Sequence, residues 1–455
     1  MRLGVDDTDS LRGMCTTSLA PEIVRLAQRR GLDLLGLPKL VRLNPNVPWK
    51  TRGNGAIAFE FGTGTGRPQI VGEHEGQPLT SFRSGDSAPI DERFVEEVTD
   101  LVEERAHLDD DRTHPAVVST PGAASFSFYR RAVRDVVPFA AADDALASAG
   151  AVVRTWKNGR GRIGAFAACG WDAAKAGDRT FELLAYRSDV AAGEPRRISP
   201  DSAKDLDARF PSTFDNFDAV HGVVRIAPRG SDPVLFGIRG AEPAELLAAR
   251  RSVGPEVPSS WLLFESNQAT DDHVERVPFA GATPLRSVAV AGEVAGAAQT
   301  IAGGHVFVGL KEPATGARIA LAAFEPTKGL RDAVRALRAG DKVEAFGAVS
   351  EGANGPQVNL EKVRLLERAV HRVKIANPIC SCGKAMKSRG DAQGFRCVRC
   401  GREAPRSAAT FAPEPRAIQP GWFEACVCAR RHLAKPIRRI LGAAAAAPAV
   451  LTETL

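Results

Sequence analysis

What the sequence lacks excludes several classes of protein. No apolar run approaches the roughly 20 residues that a bilayer-spanning helix needs, so no membrane segment is expected. The opening Met-Arg-Leu-Gly-Val-Asp-Asp carries neither an apolar h-region nor a small-residue cleavage site. No signal peptide is therefore expected, and the compartment read from the chain is the cytoplasm. Charge of one sign is not in great excess: 60 basic residues face 54 acidic ones, a net of +6 with a pI near 8.9. One polyanion-binding face accounts for such a balance. No internal repeat is present, which argues against a solenoid. A phosphate loop of the G-x-x-x-x-G-K-[ST] type is missing, so a bound nucleotide has to be held by other means. Cysteine is rare over most of the chain. Of eight, six lie beyond residue 379, too tightly clustered for a disulfide framework, and in a cytosolic chain such a cluster points to metal.

The 455 residues, 44% apolar and 25% charged, fit a folded protein of about three domains. Arginine outnumbers lysine by 47 to 13, which suits bidentate phosphate contacts and base stacking; a GC-rich codon bias, which the many alanines also suggest, gives the same ratio. Residues 2–5 read as a strand that delivers Asp6, Asp7, Thr8 and Asp9 at its end, and 18–30 as an amphipathic helix closed by Gly31. Strands at 40–43 and 56–61 and a helix at 94–106 complete an α/β or α+β first domain. From 116 to 280 strands are expected at 117–118, 162–168, 181–186, 222–226 and 234–238, with helices near 128–137, 143–149 and 243–251. Between 281 and 368, short strands at 287–294, 305–310, 342–349 and 357–366, with a helix near 330–338, make about five strands of an OB-type barrel. A cysteine-bearing segment at 377–401, a basic helix-like tail at 429–441 and an alanine-rich run close the chain. The whole reads as an α+β multidomain protein.

Four polar constellations carry chemistry. Asp6, Asp7 and Asp9 place three carboxylates within four residues at a strand end, where they repel one another unless a cation sits among them. Oxygen-rich sites of this kind suit magnesium, which in turn holds nucleotide phosphates; the plainer reading is a solvated acidic turn. Gly13-Met14-Cys15-Thr16-Thr17 follows just before a helix start, an anion-binding position. Lys50, Arg52, Gly53 and Asn54, within P-W-K-T-R-G-N-G, combine cations with glycines that let backbone amides approach a phosphate. Trp156, Lys157 and Arg160, within W-K-N-G-R-G-R, could stack on a base and grip phosphates as single-strand binders do, or form an exposed loop. Cys380, Cys382, Cys397 and Cys400 read as a zinc ribbon, with the C-x-C half one residue short of the usual knuckle and Cys426 or Cys428 as spare ligands. Cys15 and Cys169 read as small packed residues.

These motifs together resemble the archaeal tRNA(Ile) 2-agmatinylcytidine synthetase family along almost the whole chain. The resemblance rests on D-D-T-D-S-L-R-G-M-C-T-T at 6–17, L-V-R-L-N-P-N-V-P-W-K-T-R-G-N-G-A at 40–56, W-K-N-G-R-G-R-I-G-A at 156–165, T-F-D-N-F-D at 213–218, D-P-V-L-F-G-I-R-G at 232–240 and A-R-R-H-L-A-K-P at 429–436. It implies a kinase-like α/β domain (1–115, with part of 200–280), a ferredoxin-like domain (116–280), an OB fold (281–370) and a zinc ribbon with a basic tail (371–455). It also implies ATP-dependent conjugation of agmatine to carbon 2 of the wobble cytidine of a tRNA(Ile) with a CAU anticodon, a ligase reaction that yields AMP and two phosphates. On this resemblance Asp6, Asp7 and Asp9 hold magnesium and the triphosphate, Thr16 is phosphorylated, and Lys50, Arg52, Gly53 and Asn54 complete the phosphate cradle. Asp215 and Asp218 are candidates for the cationic agmatine. Trp156, Lys157, Arg160, Arg430, Arg431 and Lys435 are candidates for tRNA, and the four cysteines for structural zinc. Two rivals compete with this reading. One is a non-catalytic tRNA-binding OB-fold protein, which the intact acidic and K-T-R-G-N-G motifs disfavour. The other is a small-molecule kinase that never sees RNA, which leaves the C-terminal half without a role.

Overall fold

The computed structural model describes residues 1–188, 194–228, 230–353, 355–390 and 393–442; the alanine-rich run lies outside the described residues. Arg2–Asp6 alternates Leu3 and Val5 with Gly4, and it lies in the middle of a large sheet. It pairs antiparallel with Gly55–Thr65 on one side and Ala116–Thr120 on the other. With neighbours on both edges and helices on both faces, its residues from Leu3 to Asp6 are buried, as a central strand's must be. Thirteen strands among the described residues form this sheet. It runs without a break across residue 115, through Val152–Thr155 at one edge and through Thr180–Tyr186, Val234–Gly240 and Ser260–Ser266 towards the other.

Side chains alternate between two cores. Leu3, Val5, Phe59 and Phe61 face the helices Leu19–Arg29 and Glu92–Arg105. Ala56, Ala58 and Val118 face the helices Phe126–Arg134, Phe139–Ser148 and Gly161–Gly170. Phe61 stands edge-on to Phe94, ring centroids 5.2 Å apart, a favoured aromatic geometry that fixes how the second helix sits. A further core lies where Pro200–Arg209 and Pro243–Ala249 cover the far half of the sheet.

The strand expected at 162–168 is instead part of the helix Gly161–Gly170. Its short apolar run, Ile163 and Ala165–Ala168, is compatible with a buried strand or a buried helix. Contact with the central strand decides for the helix. A Cβ at Gly4 would meet the carbonyl oxygen of Ala165 at 2.2 Å, and one at Gly161 would meet that of Asp6 at 2.6 Å. Helix and strand approach this closely only because both are glycine at the contact.

Residues 287–367 close a barrel. Ser287–Val294 pairs with Val306–Lys311 and Lys342–Gly352, while Arg318–Ala323 lies between Val306–Lys311 and Gly355–Glu367, which returns to Lys342–Gly352. The helix Gly329–Ala336 follows the third strand of this ring, the order expected of an OB-type barrel. Beyond it, short strands at Lys387–Ser388, Phe395–Arg396 and Glu403–Ala404 carry the cysteine-bearing loops. Gly421–Glu424 then rejoins the barrel by pairing with Gly355–Glu367.

The basic tail is not the helix its composition suggested. Only Ile437–Leu441 is α-helical, because Pro436 disfavours helix in the residue before it and can open a helix only at its start. Residues 430–436 cross the front sheet instead, and the backbone N–H groups of Ala269 and Asp271 donate to the carbonyls of His432 and Leu433 at 2.8 and 2.9 Å. No helix among the described residues is long and apolar enough to cross a membrane.

Candidate active site

The acidic loop begins where the central strand stops. Asp6 is its last residue, and Asp7 turns the chain with φ of 60°, a left-handed conformation that non-glycine residues seldom hold. The helix Gly161–Gly170 presses on this point so closely that a Cβ at Gly164 would stand 1.9 Å from Oδ2 of Asp6. Burial pushes the Asp6 carboxyl up to about 7. Burial, together with the charges of Asp6 and Asp9, pushes Asp7 up to about 8, with Arg160 acting in the opposite sense. Two raised carboxyls at the end of a buried strand mark this loop as a candidate functional site.

Thr16 lies opposite. The Thr16 hydroxyl donates to Oδ1 of Asp9 at 3.0 Å, its backbone N–H donates to the same oxygen at 2.5 Å, and Thr8 donates to the Thr16 hydroxyl at 3.0 Å. Thr8 and Thr16 are both buried. The loop is tied to its surroundings by Ser10, which donates to Asp110 at 2.7 Å, and by Thr113, which donates to the Asp9 carbonyl at 2.8 Å.

The K-T-R-G-N-G segment forms a wall with a cavity on each side. One cavity, of about 290 Å³, is lined by Asp6, Asp7, Lys50, Asn54, Arg160 and the Trp49 ring, among others. Over Trp49 lies the Arg160 guanidinium, 4.1 Å from the ring centroid, with Phe139 5.5 Å away on another side. A planar cation and an aromatic face with acids beyond them make a slot for a flat, electron-rich ring. The second cavity, of about 370 Å³, is lined by Asp9, Thr16, Arg52, Gly53, Arg42 and His432, with Glu182, Arg225, Asp232 and Arg239 beyond. Gly53 is required there, since a Cβ would meet Arg42 and the His432 ring at 2.9 Å. Arg52 donates to the Ser10 carbonyl at 2.6 Å and approaches Asp232 at 3.4 Å. The nearby charges of Arg42, Arg239 and Arg225, with burial, hold His432 well below its usual range and therefore neutral.

The other expected residues divide. Arg160 reaches the first cavity. Trp156 packs against the core, and Lys157 donates to the Asp110 carbonyl at 2.5 Å, so the loop braces the acidic segment. Asp215 is ion-paired with Arg430, and Asp218 accepts from the His221 ring at 3.0 Å and the Cys428 amide at 3.1 Å. Neither lines either cavity. Arg430 also pairs with Glu424 at 2.5 Å, Arg431 with Asn46 and, at 3.6 Å, with Glu361, and Lys435 with Asp178 at 2.7 Å. These three cations therefore bind the C-terminal arm to the rest of the chain. Sequence reasoning missed Asp232 and His432, although both stand in motifs it had singled out; nothing local marks them, because their place follows from how distant segments cross.

The four ribbon thiols converge from two glycine-closed turns. Cys380 Sγ lies 3.5 Å from Cys400 Sγ, and Cys382 Sγ lies 3.5 Å from Cys397 Sγ. Gly383 and Gly401 adopt φ of 78° and 75° and return their N–H groups to the carbonyls of Cys380 and Cys397. The C-x-C half thus closes over three residues where the C-x-x-C half closes over four, a turn one residue tighter. Backbone N–H groups of Cys400 and Arg399 hold the Cys397 thiol down to about 6. Cys426 and Cys428 lie elsewhere, beside Asp218 and His221.

A curated protein of Methanosarcina mazei, the 2-agmatinylcytidine synthetase TiaS of an isoleucine tRNA, is 38% identical over 96% of this chain and 97% of its own length. The chain belongs to that family. A counterpart from Archaeoglobus fulgidus is 37% identical over 96% of this chain and 97% of its own; these relatives are ligases that form a carbon–nitrogen bond. Three profiles of the family match in order: the TiaS TCKD domain over residues 2–158, the TiaS FLD domain over 159–273 and the TiaS C-terminal zinc ribbon domain over 377–418. Among solved structures, apo TiaS superposes with a TM-score of 0.78 at 36% identity, covering 96% of this chain and 98% of that one. A complex of TiaS with its isoleucine tRNA and ATP gives 0.81 at 36% identity (96% and 97%). A complex with the tRNA, AMPCPP and agmatine gives 0.76 at 33% (96% of each).

Proposed function

We propose that this chain joins agmatine to carbon 2 of the wobble cytidine in a tRNA(Ile) with a CAU anticodon, converting ATP to AMP and two phosphates. The observation that carries this reading is the acidic loop with Thr16, held at the wall between an aromatic cavity and an arginine-lined one. Asp6 and Asp7 line the first cavity and Asp9 the second, so the three carboxylates do not converge on one point; with hard oxygen donors, Asp6 and Asp7 would hold a magnesium ion with triphosphate oxygens completing its shell. When bound, the ion neutralises charge on the transferred phosphates.

Cytosine's carbonyl is a weak electrophile and its oxygen a poor leaving group. Transfer of a phosphoryl group from ATP to that oxygen changes both. The agmatine amine then adds to carbon 2, loses its proton, and expels phosphate carrying the former carbonyl oxygen. Lys50 and Asn54, on the first cavity, and Arg52 with the Gly53 amide, on the second, would hold the triphosphate across the wall they form and stabilise charge as it spreads over the transferred group. Thr16 can accept the terminal phosphoryl group of ATP, with its hydroxyl proton passing to Asp9, 3.0 Å away; water then releases it as one phosphate, the next phosphoryl group goes to the cytidine oxygen and leaves as the second, and AMP remains. Agmatine's guanidinium needs a carboxylate. Asp232 and Glu182 reach the second cavity, and we assign it to them rather than to Asp215 and Asp218, which line neither cavity; Asp232 faces Arg52 and Arg196, and Glu182 faces Arg42 and Arg239, so agmatine's guanidinium would take the place of one of these arginines. tRNA affinity falls to the ribbon and the strand leading into it, where Lys374, Lys387 and Arg396 are exposed.

The test is direct. Incubation with a transcript of tRNA(Ile) bearing the CAU anticodon, ATP and agmatine should yield agmatidine by nucleoside mass spectrometry, and an ¹⁸O label at the cytidine carbonyl should appear in inorganic phosphate. Tight tRNA binding without product would favour the non-catalytic reading.

A further inference from the structure

Four metal-binding side chains outside the ribbon converge at the root of the C-terminal arm. Asp218 and His221 come from the turn between the paired strands Phe217–Asp218 and Val223–Val224. Cys426 and Cys428 come from the segment after Gly421–Glu424, roughly two hundred residues later. One donor atom from each of the four lies within 4.8 Å of all the others, the same closeness as in the ribbon set. Cys428 Sγ is 3.7 Å from Nδ1 of His221, which is 3.0 Å from Oδ2 of Asp218. In tetrahedral zinc sites, bonds of about 2.3 Å to sulfur and about 2.0 Å to nitrogen or oxygen place ligand atoms roughly 3.3–3.8 Å apart. The Cys426–Cys428 pair, at 2.7 Å, has to open towards the roughly 3.8 Å between two zinc-bound thiolates, and both side chains are half-buried.

We propose that Asp218, His221, Cys426 and Cys428 bind a second zinc ion, which staples the C-terminal arm to the front half of the chain. The donor chemistry fits: two thiolates, one imidazole and one carboxylate make a four-coordinate set with no open position, as structural zinc requires. The Asp218 carboxylate is buried and is held in place by the backbone N–H groups of Val220, His221 and Cys428; zinc would take the place of its hydrogen bond with the His221 ring. The site has a definite consequence. Arg430 and His432 follow two and four residues after Cys428, and they form the pair with Asp215 and the wall of the arginine-lined cavity. A zinc at Cys428 fixes where that wall stands. This role does not depend on which substrate the cavity takes.

Zinc measured by plasma mass spectrometry on the full chain, purified under nitrogen, tests the proposal. Two zinc ions per chain are expected. The double variant Cys426→Ser, Cys428→Ser should retain one, and Cys397→Ser should also retain one, by losing the ribbon ion instead. In the double variant, amide exchange across residues 424–434 should accelerate while exchange in the ribbon stays unchanged. A parent with one zinc that survives the double substitution overturns the proposal. So does a Cys426–Cys428 disulfide in the purified parent, seen as a mass two hydrogens short. Should the double variant not fold, His221→Ala and an anomalous difference map at the zinc edge on parent crystals decide: a peak among the four donors supports the site, and its absence removes it.

Discussion

Asp7 is at once strained, half-buried and set beside two other carboxylates, and those three costs fall on one residue of the acidic loop. Its backbone has φ of 60°, its carboxyl is pushed up to about 8, and its neighbours repel it. None of this helps the chain fold, so the loop trades stability for function. Asp7→Asn keeps the left-handed conformation, which asparagine tolerates, and removes the repulsion. The melting temperature should therefore hold or rise, while agmatidine formation should fall at least about 100-fold, the scale of losing one charge-stabilising group. Parallel calorimetry and single-turnover product assays check both halves. Parental activity would dismiss the acidic loop as the catalytic centre.

At the scale of elements, the contact between the central strand and the helix Gly161–Gly170 positions the site. Gly164 sits where a methyl group would stand 1.9 Å from the Asp6 carboxylate. Gly164→Ala should cost about 1–3 kcal/mol, as overpacking does, and should depress activity more than Gly122→Ala, at a glycine with open space around it. Denaturant titration and turnover measure the two effects. The helix also shows where sequence legibility ended. Arg2–Asp6, Leu19–Arg29 and four of the five barrel strands carry periodicity enough to be read, Arg318–Ala323 being the one given no range, and the spacing of the four ribbon cysteines announced their cluster. The segment at 162–168 could not be read, because a short apolar run fits either period and only its glycine contacts, made with residues far off in sequence, settle which one forms. In the site, Asp6 to Asp9 and Lys50 to Asn54 were legible as local clusters. Asp232, Glu182 and His432 were not, since each is brought in by a different crossing of the chain.

A second element-scale feature joins the barrel to the front half. Glu361, on the barrel strand Gly355–Glu367, is buried against His273 at 3.1 Å, with Arg431 3.6 Å away. Burial alone would raise its pKa, but the charge and hydrogen bond of His273, with Arg431 and Lys362, outweigh it and hold the carboxyl down to about 2. A carboxylate depressed in the folded state adds stability that is fully present above its unfolded value of about 4.5 and is lost as pH falls towards 2. Glu361→Gln should therefore lower the melting temperature at pH 7, and its melting temperature should fall less than the parent's between pH 5 and pH 3. Equal slopes for the two proteins would show that this pair contributes nothing.

For the whole molecule, the C-terminal region is two things with different attachments. The arm from Gly421 onward pairs with the barrel, packs Leu433 into the core behind the sheet and lines the arginine-rich cavity with His432. Removing everything beyond Glu367 would therefore damage the site itself. The ribbon has its own small core of Cys380, Met386, Phe395, Cys397 and Ala409, and it is entered and left through adjacent strands, Arg372–Ala376 and Thr410–Pro413. Excising residues 377–409 and closing the gap with a short Gly-Ser linker should thus leave sheet, barrel and arm intact. ATP affinity should stay within twofold of the parent, while tRNA affinity should drop at least tenfold at physiological salt. The dependence of log affinity on log salt should flatten as well, by close to one unit per lost phosphate contact, since each cation on a phosphate releases about one counterion. Filter-binding titrations across 50–300 mM salt, beside nucleotide binding by calorimetry, separate the outcomes. Unchanged tRNA affinity would place recognition on the barrel alone, and lost ATP affinity would show the ribbon to be part of the fold of the site.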